Sequence, residues 1–167
     1  MDKCVIVING KGGVGKDTLC DAARDVYKVK NISAITPIKE LAAQHGWKGE
    51  KDDKSRRFLA ELIRVFVEYN DMPTRYLLEE CDAFAQSDDE ILFVHIREPQ
   101  EISKFVSGVT LRCVTLLITG RDEGKTYGNA ADDGVADYDY DFTYANVLPL
   151  EKATADFVCF LQQKIMK

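Results

Sequence analysis

The chain has 167 residues, 46% of them hydrophobic and 30% charged, with a formal net charge of -6. That length suits one domain, 1–167, which can bury a core without metal or disulfide support, and the acidic balance argues against a nucleic-acid-binding surface. No apolar run approaches the ~20 residues of a membrane span and the N-terminal one is too short for a signal segment, so the expectation is a cytoplasmic protein, as a monomer or homodimer.

The first predicted element is the apolar strand Val5-Ile6-Val7-Ile8, which runs into Asn9-Gly10-Lys11-Gly12-Gly13-Val14-Gly15-Lys16-Asp17-Thr18. Gly10, Gly15 and Lys16 have the G-x-x-x-x-G-K spacing of a phosphate-binding loop. Glycines are needed there because the backbone N–H groups of residues Gly10 to Thr18 must curl around phosphate without Cβ atoms in the way. Lys16 would reach the β- and γ-phosphates of ATP, while the next position, usually a Ser or Thr offering its hydroxyl to Mg²⁺, is Asp17. Leu19, Ala22, Ala23 and Val26 then recur at helical spacing, predicting one buried helix face behind the loop.

Four further apolar strands are predicted at about 32–36, 91–96, 113–119 and 142–146, separated by helical patterns. The alternation predicts a three-layer α/β fold with a five-stranded parallel sheet, whose ligands bind at the carboxyl ends of the strands. After the second strand, Thr36 is placed to cap a helix with Pro37 in its first turn, and Lys39 projects nearby. Arg97 follows the third strand, and Arg121 and Lys125 follow the fourth, in a stretch from 120 to 137 that reads as a lid. Each could equally be a solvated surface cation, but their strand-end positions suit phosphate-bearing ligands.

Between these elements, Ser55 to Tyr69 has the pattern of an amphipathic helix with Leu59, Leu62, Ile63 and Phe66 on its buried face. Arg57, Glu61, Arg64 and Glu68 read first as a surface ladder of ion pairs, whereas Arg56 continues the apolar row toward the cleft. Arg56, Arg57 and Arg64 are all candidates for seating an acceptor. Asp88 and Asp89 read as turn residues at the opposite edge of the sheet. The aspartates at 132, 133, 137, 139 and 141 read as a solvated loop, with Asp132 an alternative contact to nucleotide. The five cysteines lack metal or disulfide spacing and read as free thiols, and the two histidines suggest no zinc site.

Two families compete for the loop. Lys11 to Lys16 resembles the deviant loop of chromosome-partitioning ATPases, in which the first lysine reaches across a dimer, but Asp17 and the chain length depart from them. The remainder resembles the small P-loop kinases that include phage-type deoxynucleoside monophosphate kinases and animal-type phosphomevalonate kinase. The resemblance rests on Gly15-Lys16-Asp17, Pro37-Ile38-Lys39-Glu40, Ile96-Arg97-Glu98-Pro99, Asn129-Ala130-Ala131-Asp132 and Tyr140-Asp141-Phe142 through Asn146. It implies a nucleoside monophosphate kinase-like fold and ATP-dependent transfer to a small phosphorylated acceptor. Lys16 and Arg121 would act in transfer, Asp17 would hold Mg²⁺, and Lys39, Arg97 and Arg56 would seat the acceptor. One departure is His95, which occupies the place of a usual acidic residue and leaves open a nucleotide-binding protein without transfer activity.

Overall fold

The computed structural model describes residues 2–120 and 134–167. Five parallel strands form one sheet in the order β2-β3-β1-β4-β5: β1 (Cys4–Asn9), β2 (Val29–Ser33), β3 (Ile91–His95), β4 (Cys113–Gly120) and β5 (Phe142–Asn146). The central strand β1 is fully buried, and its alternating side chains divide between two cores. Cys4, Ile6 and Ile8 pack with Leu19, Cys20 and Ala23 and with Phe157 and Leu161, under helices α1 (Lys16–Ala22) and α6 (Leu150–Phe160). Val5 and Val7 pack with Leu77, Phe84, Ile102 and Phe105, from α4 (Met72–Gln86) and α5 (Pro99–Gly108) on the other face. This is the expected three-layer arrangement.

The strand order sets the position of the cleft. β1 pairs with β3 on one side and β4 on the other, although β2 separates it from β3 in sequence. The chain therefore leaves neighbouring carboxyl ends of β1 and β3 in different directions, which opens a crevice between them.

Several local expectations are corrected. The second strand is Val29–Ser33, not 32–36, and its register with β3 runs from Val29 opposite Ile91 to Ser33 opposite His95. Its apolar signal is interrupted because this is an edge strand: Lys30 reaches Glu80 of α4 at 2.8 Å and Asn31 meets His95. Helix α1 stops at Ala22 and continues only as a tight 3₁₀ turn, Ala23–Asp25. The tighter winding takes Val26 off the buried face and leaves it exposed. Thr36 does not cap α2 (Thr36–Gln44) but is its first residue, and the preceding Ile35 N–H is held by the Ser33 hydroxyl.

Asp141 is not part of a solvated loop. Its carboxylate accepts from the Thr115 backbone N–H at 2.9 Å and hydroxyl at 3.2 Å, while its own N–H donates to Thr115 Oγ1 at 2.8 Å. The clasp fixes where β5 starts along β4. Asp88 and Asp89 do lie in the turn before β3, where Lys3 Nζ donates to the carbonyls of Ser87 and Asp89. Cys4, Cys20 and Cys81 are buried and Cys159 is exposed, all as free thiols.

Helix α3 (Asp53–Asn70) starts where Asp52 caps it, its carboxylate accepting from the Ser55 N–H at 2.8 Å. Among its residues only Ser55 is buried. Leu59, Leu62, Ile63 and Phe66 are thus only half covered, contrary to the expected buried face. Helix α4 follows with almost no linker, through Asp71 in the left-handed region at φ 53.

Candidate active site

The phosphate-loop sequence joins the carboxyl end of β1 to the start of α1, in the order strand, loop, lysine, helix. Its glycines are required by contacts as well as by conformation. A Cβ on Gly10 would lie 2.7 Å from the Ile118 carbonyl oxygen and 2.9 Å from Val14 Cγ2, so the loop leaves the sheet pressed against β4. Gly15 precedes α1 at φ 84, and a Cβ there would come within 2.7 Å of Asn146 Nδ2. That same Asn146 amide, at the end of β5, donates to the Val14 carbonyl at 2.7 Å and holds the loop from above.

At the loop's other end stands Asn9, a fully buried polar residue. Its Oδ1 accepts from the Gly10 N–H at 2.9 Å. Its Nδ2 donates to the Arg97 carbonyl at 2.9 Å and to Tyr140 Oη at 2.9 Å. The Tyr140 hydroxyl donates onward to the Val135 carbonyl at 2.6 Å, and burial pushes its pKa up to about 12. One amide thereby couples the start of the phosphate loop, the segment after β3 and the approach to β5. A lone Asn at a strand end carries no signal in sequence; only the fold makes it a junction.

Four charged side chains meet in the crevice. Lys16 has its pKa lowered by burial and by the positive charge of Arg97, with Asp17 acting in the opposite sense. Arg97 is likewise lowered, first by desolvation and also by Arg56, while Asp17 favours its charge. Arg97 is open to solvent at the cleft mouth yet surrounded by protein on its inner side. His95 lies beside them, at hydrogen-bond distance from Asn31 Oδ1 (3.0 Å), and burial together with Lys16 lowers its pKa to about 4. It is neutral at neutral pH, and then its Nε2 must carry the hydrogen that the Asn31 oxygen accepts.

Of the expected site residues, Lys16, Asp17, Arg97 and Arg56 are therefore brought together, around the loop formed by Gly10, Lys11, Gly12, Gly13, Val14, Gly15 and Thr18. The described charges acting on Lys16, His95 and Arg97 do not include Lys39, which is exposed in the first turn of α2. Arg64 is engaged elsewhere, with Glu61 at 2.9 Å and Glu68 at 3.0 Å, and Arg57 is exposed on the same helix. The surface-ladder reading accounts for Arg64. Arg121, Lys125, Asn129 and Asp132, and most of the expected lid at 120–137, lie outside the described residues.

No protein-family model and no curated protein sequence matches the chain. Solved structures do match it along nearly their whole length. A sugar kinase from Janibacter sp. superposes with a TM-score of 0.54 and 17% identity, covering 98% of this chain and 96% of its own. Shikimate kinase from Bacteroides thetaiotaomicron gives 0.51 and 14%, covering 99% of each. A gluconokinase from Sinorhizobium meliloti gives 0.51 and 11%, covering 97% and 92%. The fold is the one these kinases share. At such identities the likeness speaks for architecture, and chemistry has to be argued from the residues in the crevice.

The loop has a glycine where a side chain would collide and a lysine at its helix end, which is the donor set that polyphosphate requires. Asp17 is an exposed carboxylate next to that lysine, a hard oxygen ligand of the kind Mg²⁺ accepts alongside phosphate oxygens and water. Among the described residues there is no cluster of three or more metal-ligating side chains.

Proposed function

We propose that this protein is a kinase that transfers the γ-phosphoryl group of ATP to a small acceptor already carrying a phosphate, and specifically to a nucleoside monophosphate. The observation that carries the reading is the placement of Arg97 and Arg56 beside the phosphate loop but on the β3 and α3 side of it. Arg56 lies near enough to Arg97 to act on its charge, and a phosphate monoester is the anion that such guanidinium groups bind in the bidentate geometry arginine prefers.

The roles follow from position. The backbone of Gly10 to Thr18 would grip the donor phosphates, and Lys16 would offset charge on the group in transfer. Asp17 would hold Mg²⁺, which when bound neutralises phosphate charge and orients the reacting oxygens. Arg97 and Arg56 would fix the acceptor, so that transfer depends on alignment and on cations rather than on a strong base. His95 is neutral where an acidic residue was expected, and stays available as a hydrogen-bond partner rather than a competing charge. The solved kinases named for sugar, gluconate and shikimate support transfer to a small acceptor in general, without specifying a nucleotide.

The test is transfer from ATP to a panel of nucleoside monophosphates, phosphomevalonate, gluconate and shikimate, beside hydrolysis without acceptor. Turnover with a nucleoside monophosphate, with the acceptor KM raised about tenfold to a hundredfold in Arg97→Ala while the KM for ATP stays within about threefold, supports the proposal. Turnover only with a non-phosphorylated acid would replace the acceptor assignment. Hydrolysis alone that depends on dimers and on Lys11 would favour the partitioning-type switch.

A further inference from the structure

A cavity of about 320 Å³ lies between the segment that links α2 to α3 and the first turns of α3, lined by Trp47, Glu50, Asp52, Lys54, Ser55 and Phe58. That is the small end of the range for ligand sites, about 300–1,000 Å³. It is not part of the crevice. Asp52, Ser55 and Phe58 recur every three residues and share one side of the helix, whereas Arg56, at about 100° per residue from its neighbours, projects from another.

Two walls of the cavity are aromatic. Phe58 is 45% exposed, and the Nε1–H of Trp47 is buried without an acceptor among the described residues. A buried indole N–H ordinarily finds a partner, so packing alone does not account for the place of Trp47. The remaining wall is charged. Asp52 Oδ1 accepts from the Ser55 N–H at 2.8 Å, which holds its pKa below the usual carboxylate value and keeps it ionised. Glu50 Oε2 accepts from the Lys48 N–H at 3.0 Å. Lys54 brings one ammonium against these two carboxylates, so the lining carries a net negative charge.

That charge disfavours a nucleotide or any other anion. Aromatic faces attract ammonium groups and the methylenes beside them, while carboxylates take charged N–H donors, so the combination suits an organic cation rather than a hydrated metal ion. Two carboxylates call for two ammonium groups. We infer that this cavity binds a small aliphatic diamine, its methylene chain against Trp47 and Phe58 and its ammonium groups on Glu50 and Asp52. The site is separate from the phosphate loop, and its occupancy does not depend on the acceptor that the crevice takes.

Trp47 is the only tryptophan of the chain, so intrinsic fluorescence reports from the cavity wall itself. Titration of the full chain with 1,4-diaminobutane at low ionic strength is expected to give a saturable change with a dissociation constant of about 1 mM or tighter, matched by calorimetry and weakened by salt. Phe58→Ala is expected to raise that constant about threefold to thirtyfold and Glu50→Gln about twofold to fivefold. Both positions are exposed, so the circular dichroism spectrum should not change. Asp17→Asn, in the crevice, is expected to leave the constant within about twofold. No saturation by about 10 mM would overturn the inference. So would an equal response to 1,4-butanediol, which carries no charge, or a constant raised by Asp17→Asn but not by Phe58→Ala, which would put the cation in the crevice. Binding of a penta-lysine peptide through Phe58 and Glu50, with no response to the diamine, would overturn it in favour of a basic protein segment.

Discussion

Replacing Asn9 with Ala tests whether the buried amide at the end of β1 organises the site. The substitution removes three hydrogen bonds of 2.9 Å and leaves the Gly10 N–H and the Arg97 carbonyl without these partners in a region closed to water. A neutral hydrogen bond contributes about 1 kcal/mol net, and a buried polar group stranded by mutation costs about 1–3 kcal/mol, so a loss of roughly 2–4 kcal/mol is expected. For a chain of this size that corresponds to a fall in Tm of roughly 4–16 °C. Nucleotide affinity should fall as well, because Gly10 begins the phosphate loop. Asn9→Asp should behave similarly despite its size, since it keeps the acceptor for Gly10 but aims a carboxylate oxygen at the Arg97 carbonyl. Tyr140→Phe removes one arm only, and a double-mutant cycle with Asn9→Ala should show coupling of about 0.5–2 kcal/mol. The measurements are urea denaturation and titration with an unreactive ATP analogue. A loss below about 0.5 kcal/mol with unchanged affinity, the level of an ordinary surface substitution, would refute the reasoning.

Lys16→Ala should abolish measurable ATP binding or turnover while leaving the melting transition within a few degrees, because the lysine is held for phosphate and contributes charge repulsion to the apo site; a folded variant with full turnover would contradict this. Asp17→Asn should raise the Mg²⁺ concentration needed for half-maximal activity more than it changes affinity for metal-free nucleotide, read from Mg²⁺ titrations. His95 has a folded pKa of about 4 against an unfolded value of about 6.5, so the unfolded chain binds the extra proton between those limits. Its contribution is fully present above about pH 6.5 and lost as pH falls toward 4, by about 3 kcal/mol at most, and His95→Gln should flatten that part of the stability–pH curve. Gly10→Ala should weaken nucleotide binding by displacing the loop from β4, since the colliding Ile118 oxygen is strand backbone and cannot move aside; unchanged binding would show that the loop adapts.

Local sequence determined a good part of this protein. The G-x-x-x-x-G-K spacing after an apolar strand was enough to locate the phosphate loop, because that chemistry lies within ten consecutive residues and depends on glycine conformation and one lysine. Alternating apolar runs were enough to expect a parallel sheet, because buried strands must be apolar on both faces. Element ends were less legible: Val26 left its face once helix gave way to a 3₁₀ turn, and β2 began earlier than its apolar signal because an edge strand tolerates Lys30 and Asn31 when α4 and β3 supply partners.

The rest was decided by tertiary structure. Lys39 and Arg97 look equivalent in sequence, each an exposed cation just after a strand, but Arg97 follows β3, which pairs with β1, and acts on Lys16, whereas Lys39 follows the edge strand β2 and is not among the charges acting on that lysine. Arg56 and Arg64 share a helix, yet the charge of one acts on Arg97 while the other is held by Glu61 and Glu68. Asn9, Asn146 and Asp141 carry no motif; their importance comes from strands that meet only after folding, since a hydrogen bond between residues more than a hundred positions apart, such as Asn146 to Val14, leaves no trace in local pattern. The same holds for α3, whose apolar row Leu59, Leu62, Ile63 and Phe66 reads as buried in sequence but is only half covered in the structure.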